Sequence, residues 1–192
     1  MGTIIVSENV SIDGVVQDPT GEEGFARGGW FVQVGEVDRE AWAEVELQEA
    51  REAAVLLLGR RSDDFFGSRW ETRSGEWADR LNALPKYVVS STLDEPVWRN
   101  STVLGGDVVS EVTTLKQEVD GAIVVYASRP LVHTLVEHDL VDELRLMVYP
   151  IVLGAGERLF GETGGSKPMR LVEARTVGES LAYLTYRTVR EP

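Results

Sequence analysis

The chain has 192 residues, 43% of them apolar, and its 19 basic against 32 acidic residues leave a net charge of −13. This length supports one substantial core, so we expect a single domain over residues 1–192. The absence of cysteine excludes disulfides, thiolate metal sites and a cysteine nucleophile, and the negative charge disfavours nucleic acid and anionic membranes as partners.

The N-terminal segment predicts a strand over residues 3–7. It has no basic region ahead of its apolar run, and that run is too short for a signal peptide or a membrane span. We therefore expect a cytoplasmic protein with no membrane partner.

Apolar runs rich in β-branched residues alternate along the chain with segments of helical period, which predicts an α/β fold. One large sheet of about eight strands follows. The final two strands are separated only by a turn at Gly178, so this end of the sheet should be antiparallel. The predicted strands are residues 3–7, 55–58, 87–90, 102–104, 123–126, 143–148, 169–174 and 181–187.

Four long helices are predicted between these strands, over residues 39–53, 75–84, 108–119 and 130–138. Asp38 is a plausible N-cap of the first helix, and Pro130 suits the first turn of the last. Two glycine-rich segments, 18–29 and 154–168, are predicted loops. Such loops serve either as pocket walls and lids or as plain surface connections.

The best anion site in the sequence is the segment Gly59-Arg60-Arg61-Ser62. It follows a buried strand, and it combines a tight turn, two cations and a serine that would cap a short helix. A phosphate placed there would meet a helix N-terminus, a hydroxyl group and guanidinium groups. The alternative is that both arginines merely offset the neighbouring Asp63 and Asp64.

Five blocks of sequence occur in the order found in a known family. They are SIDG at 11–14, LLGRRS at 57–62, KYVVSSTL at 86–93, LVDEL at 140–144 and PIVLGAGERLF at 150–160. The chain thus resembles the reductase domain of the bifunctional riboflavin-biosynthesis deaminase-reductase, which shares its fold with dihydrofolate reductase.

The resemblance implies a dihydrofolate-reductase-like three-layer fold, with a mixed, mostly parallel sheet, helices on both faces and an antiparallel C-terminal hairpin. It also implies a homodimer and an NADPH-dependent transfer of hydride to a small heterocyclic or carbonyl substrate. The family's activity is that of a 5-amino-6-(5-phosphoribosylamino)uracil reductase. The alternatives are a reductase of an unrelated substrate and a non-catalytic binding protein that kept the fold.

The resemblance further implies which residues face the cofactor. Arg60, Arg61 and Ser62 would meet the adenosine 2′-phosphate or the pyrophosphate. The predicted cofactor-binding set is Gly14, Gly59, Arg60, Arg61, Ser62, Ser90, Ser91, Thr92, Ala127, Ser128, Arg129, Pro130 and Leu131.

Two positions depart from the family pattern. Ala127-Ser128 stands where Gly-Gly or Gly-Ser is usual, and the Ala127 methyl group would hinder a phosphate if the backbone there has a positive φ. Tyr126 stands where the riboflavin-pathway enzyme has a glutamate that contacts its substrate.

The reduction also needs a proton donor and a substrate pocket. Asp13 is the candidate acid, although Asp-Gly is equally a common turn. Trp30, Phe31, Phe65 and Trp70 are candidates either to stack on a flat substrate or to pack in the interior. Tyr126 is a candidate to contact the substrate, and Arg158 is either a residue that binds an anionic group of it or a solvated loop arginine. His133 and His138 are five residues apart and lie on different helix faces, so no metal site is expected.

Overall fold

The computed structural model describes residues 1–189 and shows an eight-stranded mixed sheet with five α-helices. The sheet order is β4-β3-β2-β5-β1-β6-β8-β7. The strands are β1 Thr3–Ser11, β2 Ala53–Gly59, β3 Lys86–Val89, β4 Ser101–Leu104, β5 Ala122–Tyr126, β6 Glu143–Tyr149, β7 Met169–Val177 and β8 Leu181–Thr188. The helices are α1 Glu36–Glu52, α2 Arg60–Trp70, α3 Glu76–Ala83, α4 Val108–Glu118 and α5 Arg129–Glu137, with a 3-10 turn at Trp30–Gln33. The predicted fold class is confirmed.

The chain divides into two compact units. Unit 1 contains Met1–Val6 and Leu47–Asp142, and unit 2 contains Ser7–Glu46 and residues 143–189. Within residues 1–189, no helix combines the length and the apolar content needed to cross a lipid bilayer.

Unit 1 contains the parallel part of the sheet. Strand β2 pairs in parallel with both β3 and β5, and β3 pairs with β4. Because β2 is covered on both faces, its sequence is a continuous apolar run in which Leu56, Leu57 and Leu58 are fully buried. The connections place α2 directly after β2 and α5 directly after β5.

Unit 2 contains the antiparallel strands. Strand β8 pairs with β6 and with β7, as the Gly178 turn predicted. The turn requires glycine, since Gly178 has a φ of 61° and an added Cβ would lie 2.3 Å from the Asp38 carboxylate.

Asp38 therefore has a different role from the predicted one. Helix α1 begins at Glu36, so Asp38 lies in its first turn and is not the N-cap. Its carboxylate accepts hydrogen bonds from the backbone N–H groups of Glu179 and Ser180 and from the Ser180 hydroxyl. The Ser180 hydroxyl is the leading cause of its lowered pKa. The buried carboxylate thus holds the β7–β8 turn.

Candidate functional site

The turn between β2 and α2 carries the predicted anion site. Gly59 has an extended backbone and is the N-cap of α2, with no side chain capping the first turn. Arg60 and Arg61 open the helix and are exposed. The predicted N-cap role of Ser62 is wrong, because Ser62 lies inside the first turn with its residue only 6% exposed.

The turn between β5 and α5 has an unusual backbone. Ala127 and Ser128 both adopt left-handed conformations, with φ values of 48° and 60°. Ser128 is the N-cap of α5 and makes no side-chain capping bond, and Pro130 occupies the first turn as predicted. The first-turn N–H groups of α5 are therefore left for an acceptor other than their own cap.

The two turns meet at the Ser128 side chain. Its Oγ accepts a hydrogen bond from the Gly59 N–H at 2.9 Å and lies 2.8 Å from the Ser62 Oγ. The N-termini of α2 and α5, each carrying a partial positive charge, are consequently adjacent. We call this arrangement, formed by residues 59–62 and 127–131, the anion cradle.

The exposed arginines of the anion cradle are not both neutralised by the neighbouring aspartates. Asp63 is fully buried, and its carboxylate accepts the backbone N–H of Val97 at 2.7 Å. Burial raises its pKa despite that bond. Asp64 reaches Arg60 only at 4.0 Å, and Arg61 forms no ion pair with any residue in the described range 1–189. Charge neutralisation therefore does not account for both cations.

The segment after β3 contributes one hydroxyl group that contacts these arginines. The Arg60 Nη1 donates to the Thr92 Oγ1 at 3.1 Å. Ser90 is a turn residue, since its Oγ accepts the backbone N–H groups of Thr92 and Leu93. Ser91 is exposed. Thr92 is thus the residue of the predicted hydroxyl set that the structure joins to Arg60.

Asp13 in unit 2 is a structural carboxylate. Its Oδ1 accepts the Leu153 N–H at 3.0 Å and the Ser11 hydroxyl at 2.7 Å, and its Oδ2 accepts the Gly154 N–H at 2.8 Å. The Leu153 hydrogen bond is the first cause of a pKa lowered to about 2. These hydrogen bonds favour the ionised carboxylate at neutral pH, and the role of Asp13 as the general acid stays a prediction.

Gly14 and Arg158 belong to the same part of unit 2. Gly14 has a φ of 79° and closes a turn by donating to the Ser11 carbonyl at 2.9 Å. The exposed Arg158 donates its Nε–H to the Asp13 carbonyl at 3.0 Å. Both residues therefore bind the loop around Asp13, and cofactor or substrate contacts of either stay predictions.

Three aromatic residues predicted to stack on a substrate have other neighbours. Trp30 is 1% exposed, with its Nε1–H bonded to the Gln17 carbonyl, so the prediction for it is wrong. The Arg69 guanidinium covers the Phe65 ring at 3.6 Å, and Trp70 packs between Arg73 and Trp77. These cation–π contacts occupy ring faces that a ligand would need.

Tyr126 ends β5 immediately before the anion cradle, as predicted. It is half-buried and its ring lies 6.5 Å from the Phe66 ring in an edge-on arrangement. Phe66 and Tyr126 both pack against the core of unit 1. The structure thus places Tyr126 beside the anion cradle and leaves its substrate contact as a prediction.

One polar contact, between Trp42 and Asn9, was not predicted from the sequence. The Trp42 Nε1–H donates to the Asn9 Oδ1 at 2.9 Å, and the Phe31 ring contacts Trp42 edge-on at 4.7 Å. Asn9 lies in β1, which continues to Ser11. The sequence predicted an end at residue 7, because the polar Glu8 and Asn9 interrupt the apolar run, but these residues do not end the strand. An asparagine inside a strand is uncommon and was the available signal.

Comparison with known proteins gives one family. The model of the RibD C-terminal domain matches residues 2–183. The Bacillus subtilis protein YyaP is 28% identical over 138 residues, which cover 69% of this chain and 72% of YyaP.

Solved structures agree in fold. A riboflavin biosynthesis protein from Shewanella sp. PV-4 is 21% identical, with a TM-score of 0.72 over 98% of this chain and 99% of that one. Dihydrofolate reductase from Enterococcus faecalis, solved with NADP(H), is 16% identical, with a TM-score of 0.62 over 97% of this chain and 96% of that one.

Proposed function

The chain belongs to the RibD C-terminal domain family, a family of reductases, and from this premise we propose that it is an NADPH-dependent reductase of a small heterocyclic or carbonyl substrate. The observation that supports this most is the joining of the α2 and α5 N-termini through Gly59 and Ser128. Two adjacent helix N-termini form a site suited to the phosphates of a dinucleotide.

The residues of the anion cradle fit this cofactor. In a chain of net charge −13, a phosphate-bearing ligand needs a local excess of positive charge, which Arg60 and Arg61 supply. We assign the 2′-phosphate to Arg60, Arg61 and Thr92, and the pyrophosphate to the first turn of α5. A preference for NADPH over NADH follows, because NADH lacks the 2′-phosphate.

The residues of the chain determine the source of the proton and the contact with the substrate. NADPH, when bound, supplies a hydride to an electron-poor carbon of the substrate. Because Asp13 is ionised and fully engaged, we propose that the accompanying proton comes from water. Tyr126, at the end of β5, would contact the substrate through its ring.

The substrate we propose is a flat, conjugated small molecule. The family's riboflavin precursor, 5-amino-6-(5-phosphoribosylamino)uracil, is the first compound to assay. Tyr126 stands where the riboflavin-pathway enzyme has its substrate-contacting glutamate, so we expect a related heterocycle to be the better substrate.

Thermal unfolding with added nucleotides tests the proposal. We expect NADPH to raise the melting temperature at lower concentrations than NADH does. A ligand present at about 100 times its Kd stabilises by roughly 2.7 kcal/mol, which is easily measured. The absence of any shift with millimolar NADPH or NADH would contradict the reductase proposal.

Assembly and location are part of the same proposal. We propose a homodimer, the commonest symmetric oligomer, working in the cytoplasm. Sedimentation velocity at several protein concentrations tests the first point, and a monomer at all concentrations would contradict it.

A further inference from the structure

A buried carboxylate holds the segment of residues 90–100, which connects β3 to β4, against helix α2. Asp63, in the first turn of α2, accepts the Val97 N–H at 2.7 Å through its Oδ2 and the Trp98 N–H at 3.4 Å through its Oδ1. The Ser101 hydroxyl lies 3.5 Å from the same Oδ1. A buried carboxylate destabilises a fold unless it is paired or hydrogen-bonded, so the backbone of this segment is what stabilises Asp63 in the interior.

The same face of α2 packs closely on this segment at Gly67. Gly67 lies one helical turn after Asp63, and a Cβ added to it would lie 2.9 Å from the Trp98 backbone nitrogen and from its Cβ. The Trp98 side chain is buried, and its Nε1–H donates to the Asn82 Oδ1 at 2.7 Å. Close packing and hydrogen bonds therefore both fix residues 97 and 98 on α2.

The first half of the same segment carries the residue that contacts Arg60. The Thr92 Oγ1 accepts from the Arg60 Nη1 at 3.1 Å. Only four residues separate Thr92 from Val97, and one of them is Pro96, whose φ is fixed by its ring. Arg60 and Asp63 are three residues apart and so lie near each other on the surface of α2. The helix thus contacts the segment twice, through Arg60 at Thr92 and through Asp63 at Val97.

We propose that Asp63 is a positioning residue for recognition of the 2′-phosphate. Its carboxylate fixes the 90–100 segment on α2, and this places the Thr92 hydroxyl beside Arg60, where both groups can meet the phosphate. The inference rests on the proposed binding of NADPH by the anion cradle. It goes further by making the choice between NADPH and NADH depend on a buried acidic residue that acts through Thr92.

The direction of the effect separates positioning from simple electrostatics. A carboxylate near an anion site repels a phosphate, so removal of its charge would by itself strengthen the binding of NADPH. Positioning predicts the opposite, because the segment that carries Thr92 loses its anchor. We expect the ratio of NADPH affinity to NADH affinity to fall by roughly tenfold in Asp63→Ala, with NADH affinity changed little. A rise in the ratio would overturn the inference.

Asp63→Asn removes the charge and keeps the shape of the side chain. Its amide oxygen can still accept the Val97 N–H, but its NH₂ group then faces the Trp98 N–H, which loses its acceptor. We therefore expect a smaller fall in the affinity ratio, of roughly threefold. This variant decides the question if Asp63→Ala does not fold, and an unchanged ratio in it would overturn the inference.

A double-mutant cycle with Thr92→Ala tests whether Asp63 acts through Thr92. Thr92→Ala should lower the affinity ratio by about as much as Asp63→Ala does. The double variant should lose no more than either single variant, because both changes remove the same contact with the phosphate. Additive losses would show that Asp63 acts by another route and would overturn the inference.

The matched control is Asp142→Asn, in the same unit. Asp142 follows the C-terminal end of α5, whereas the anion cradle contains the N-terminal end of that helix. Its carboxylate accepts the Ile4 N–H at 2.8 Å and pairs with Lys116, so the substitution should lower the stability while the affinity ratio stays within roughly twofold of the wild type. Calorimetric titration with NADPH and NADH, beside urea unfolding of each variant, measures both quantities.

The outcomes for the wild type and the variants separate this inference from the reductase proposal. If the wild type prefers NADPH and the Asp63 variants lose stability but keep the same affinity ratio, Asp63 has a merely structural role and only the inference is overturned. If the wild type binds neither nucleotide, the reductase proposal fails and the inference fails with it. If the wild type binds both nucleotides equally, recognition of the 2′-phosphate is contradicted, and so is the role of Asp63.

Discussion

The Gly59 N–H donates to the Ser128 Oγ at 2.9 Å, and this bond joins two turns that are 69 residues apart in the chain. Each turn ends a parallel strand and opens a helix. Neither helix has a side-chain cap, so the first-turn N–H groups of both lack a capping acceptor. Ser128 therefore joins the two helix N-termini that form the anion cradle.

Replacing this link should weaken both the fold and the cofactor site. Ser128→Ala leaves the half-buried Gly59 N–H without its acceptor, at a cost of about 1–3 kcal/mol in unfolding free energy. NADPH affinity should fall as well, because the two turns are no longer tied. Urea unfolding and NADPH titration measure the two effects. The control is Ser68→Ala, also on α2, whose exposed hydroxyl donates to the Phe65 carbonyl and accepts from the Arg69 guanidinium at 3.4 Å, and a loss as large in the control would contradict this role of Ser128.

The left-handed backbone at Ala127 is expected to lower the stability of the protein and its affinity for NADPH. A non-glycine residue in this conformation costs roughly 1–2 kcal/mol, whereas glycine adopts it freely at an entropy cost of about 0.5–1 kcal/mol. Ala127→Gly should thus stabilise the protein by up to about 1 kcal/mol, and NADPH should bind more tightly once the methyl group is gone.

The matched control for this change is Ala83→Gly at the end of α3, where the backbone is right-handed. That substitution should destabilise the protein by up to about 1 kcal/mol. Thermal unfolding distinguishes the two. If both variants lose the same stability, the left-handed backbone at Ala127 does not strain the alanine.

The two exposed arginines should determine which nucleotide binds. A charge-assisted hydrogen bond contributes about 1.5–3 kcal/mol, so Arg60→Gln or Arg61→Gln should weaken NADPH binding by roughly tenfold or more. NADH binding should change little, and the NADPH effect should shrink at high salt. Arg73→Gln, which removes an exposed cation stacked on Trp70, is the control. Equal losses for NADH and NADPH would contradict recognition of the 2′-phosphate by these residues.

Much of the fold follows from local pattern. The apolar run of β2 is continuous because both faces of the strand are covered, and a single glycine between β7 and β8 allows only a tight antiparallel turn. The position of the Gly59–Ser62 turn was predictable for the same reason, because the run ends there and two cations follow.

The contacts inside the site were not predictable, because they depend on residues distant in sequence. Ser62 has the residue type and the position of an N-cap, yet it is buried against Ser128, 66 residues away. Asp13 has the residue type of an acid, yet its pKa is lowered by N–H groups about 140 residues further on. Trp30 has the residue type of a stacking residue, yet it is buried by strands that are distant in sequence.

A buried carboxyl group in β1 should make stability depend on pH. Burial raises the pKa of Glu8 to about 8, and its Oε2 has no hydrogen-bond partner among the described residues. The unfolded chain releases this proton near its ordinary pKa of 4.5, whereas the folded protein keeps it until about 8. The folded state therefore binds more protons between these values, and the unfolding free energy should fall as the pH rises from about 4.5 to 8.

Glu8→Gln removes this titration while keeping the shape of the side chain. We expect the variant and the wild type to unfold alike near pH 4.5, and the variant to become progressively more stable than the wild type as the pH approaches 8. Urea unfolding across that range, with the exposed Glu40→Gln on α1 as the control, measures the difference. A constant gap between Glu8→Gln and the wild type at all pH values would show that Glu8 is ionised in the folded protein. The carboxylate would then need a partner besides the backbone N–H of Asn9, because an unpaired charge at a buried oxygen costs several kcal/mol.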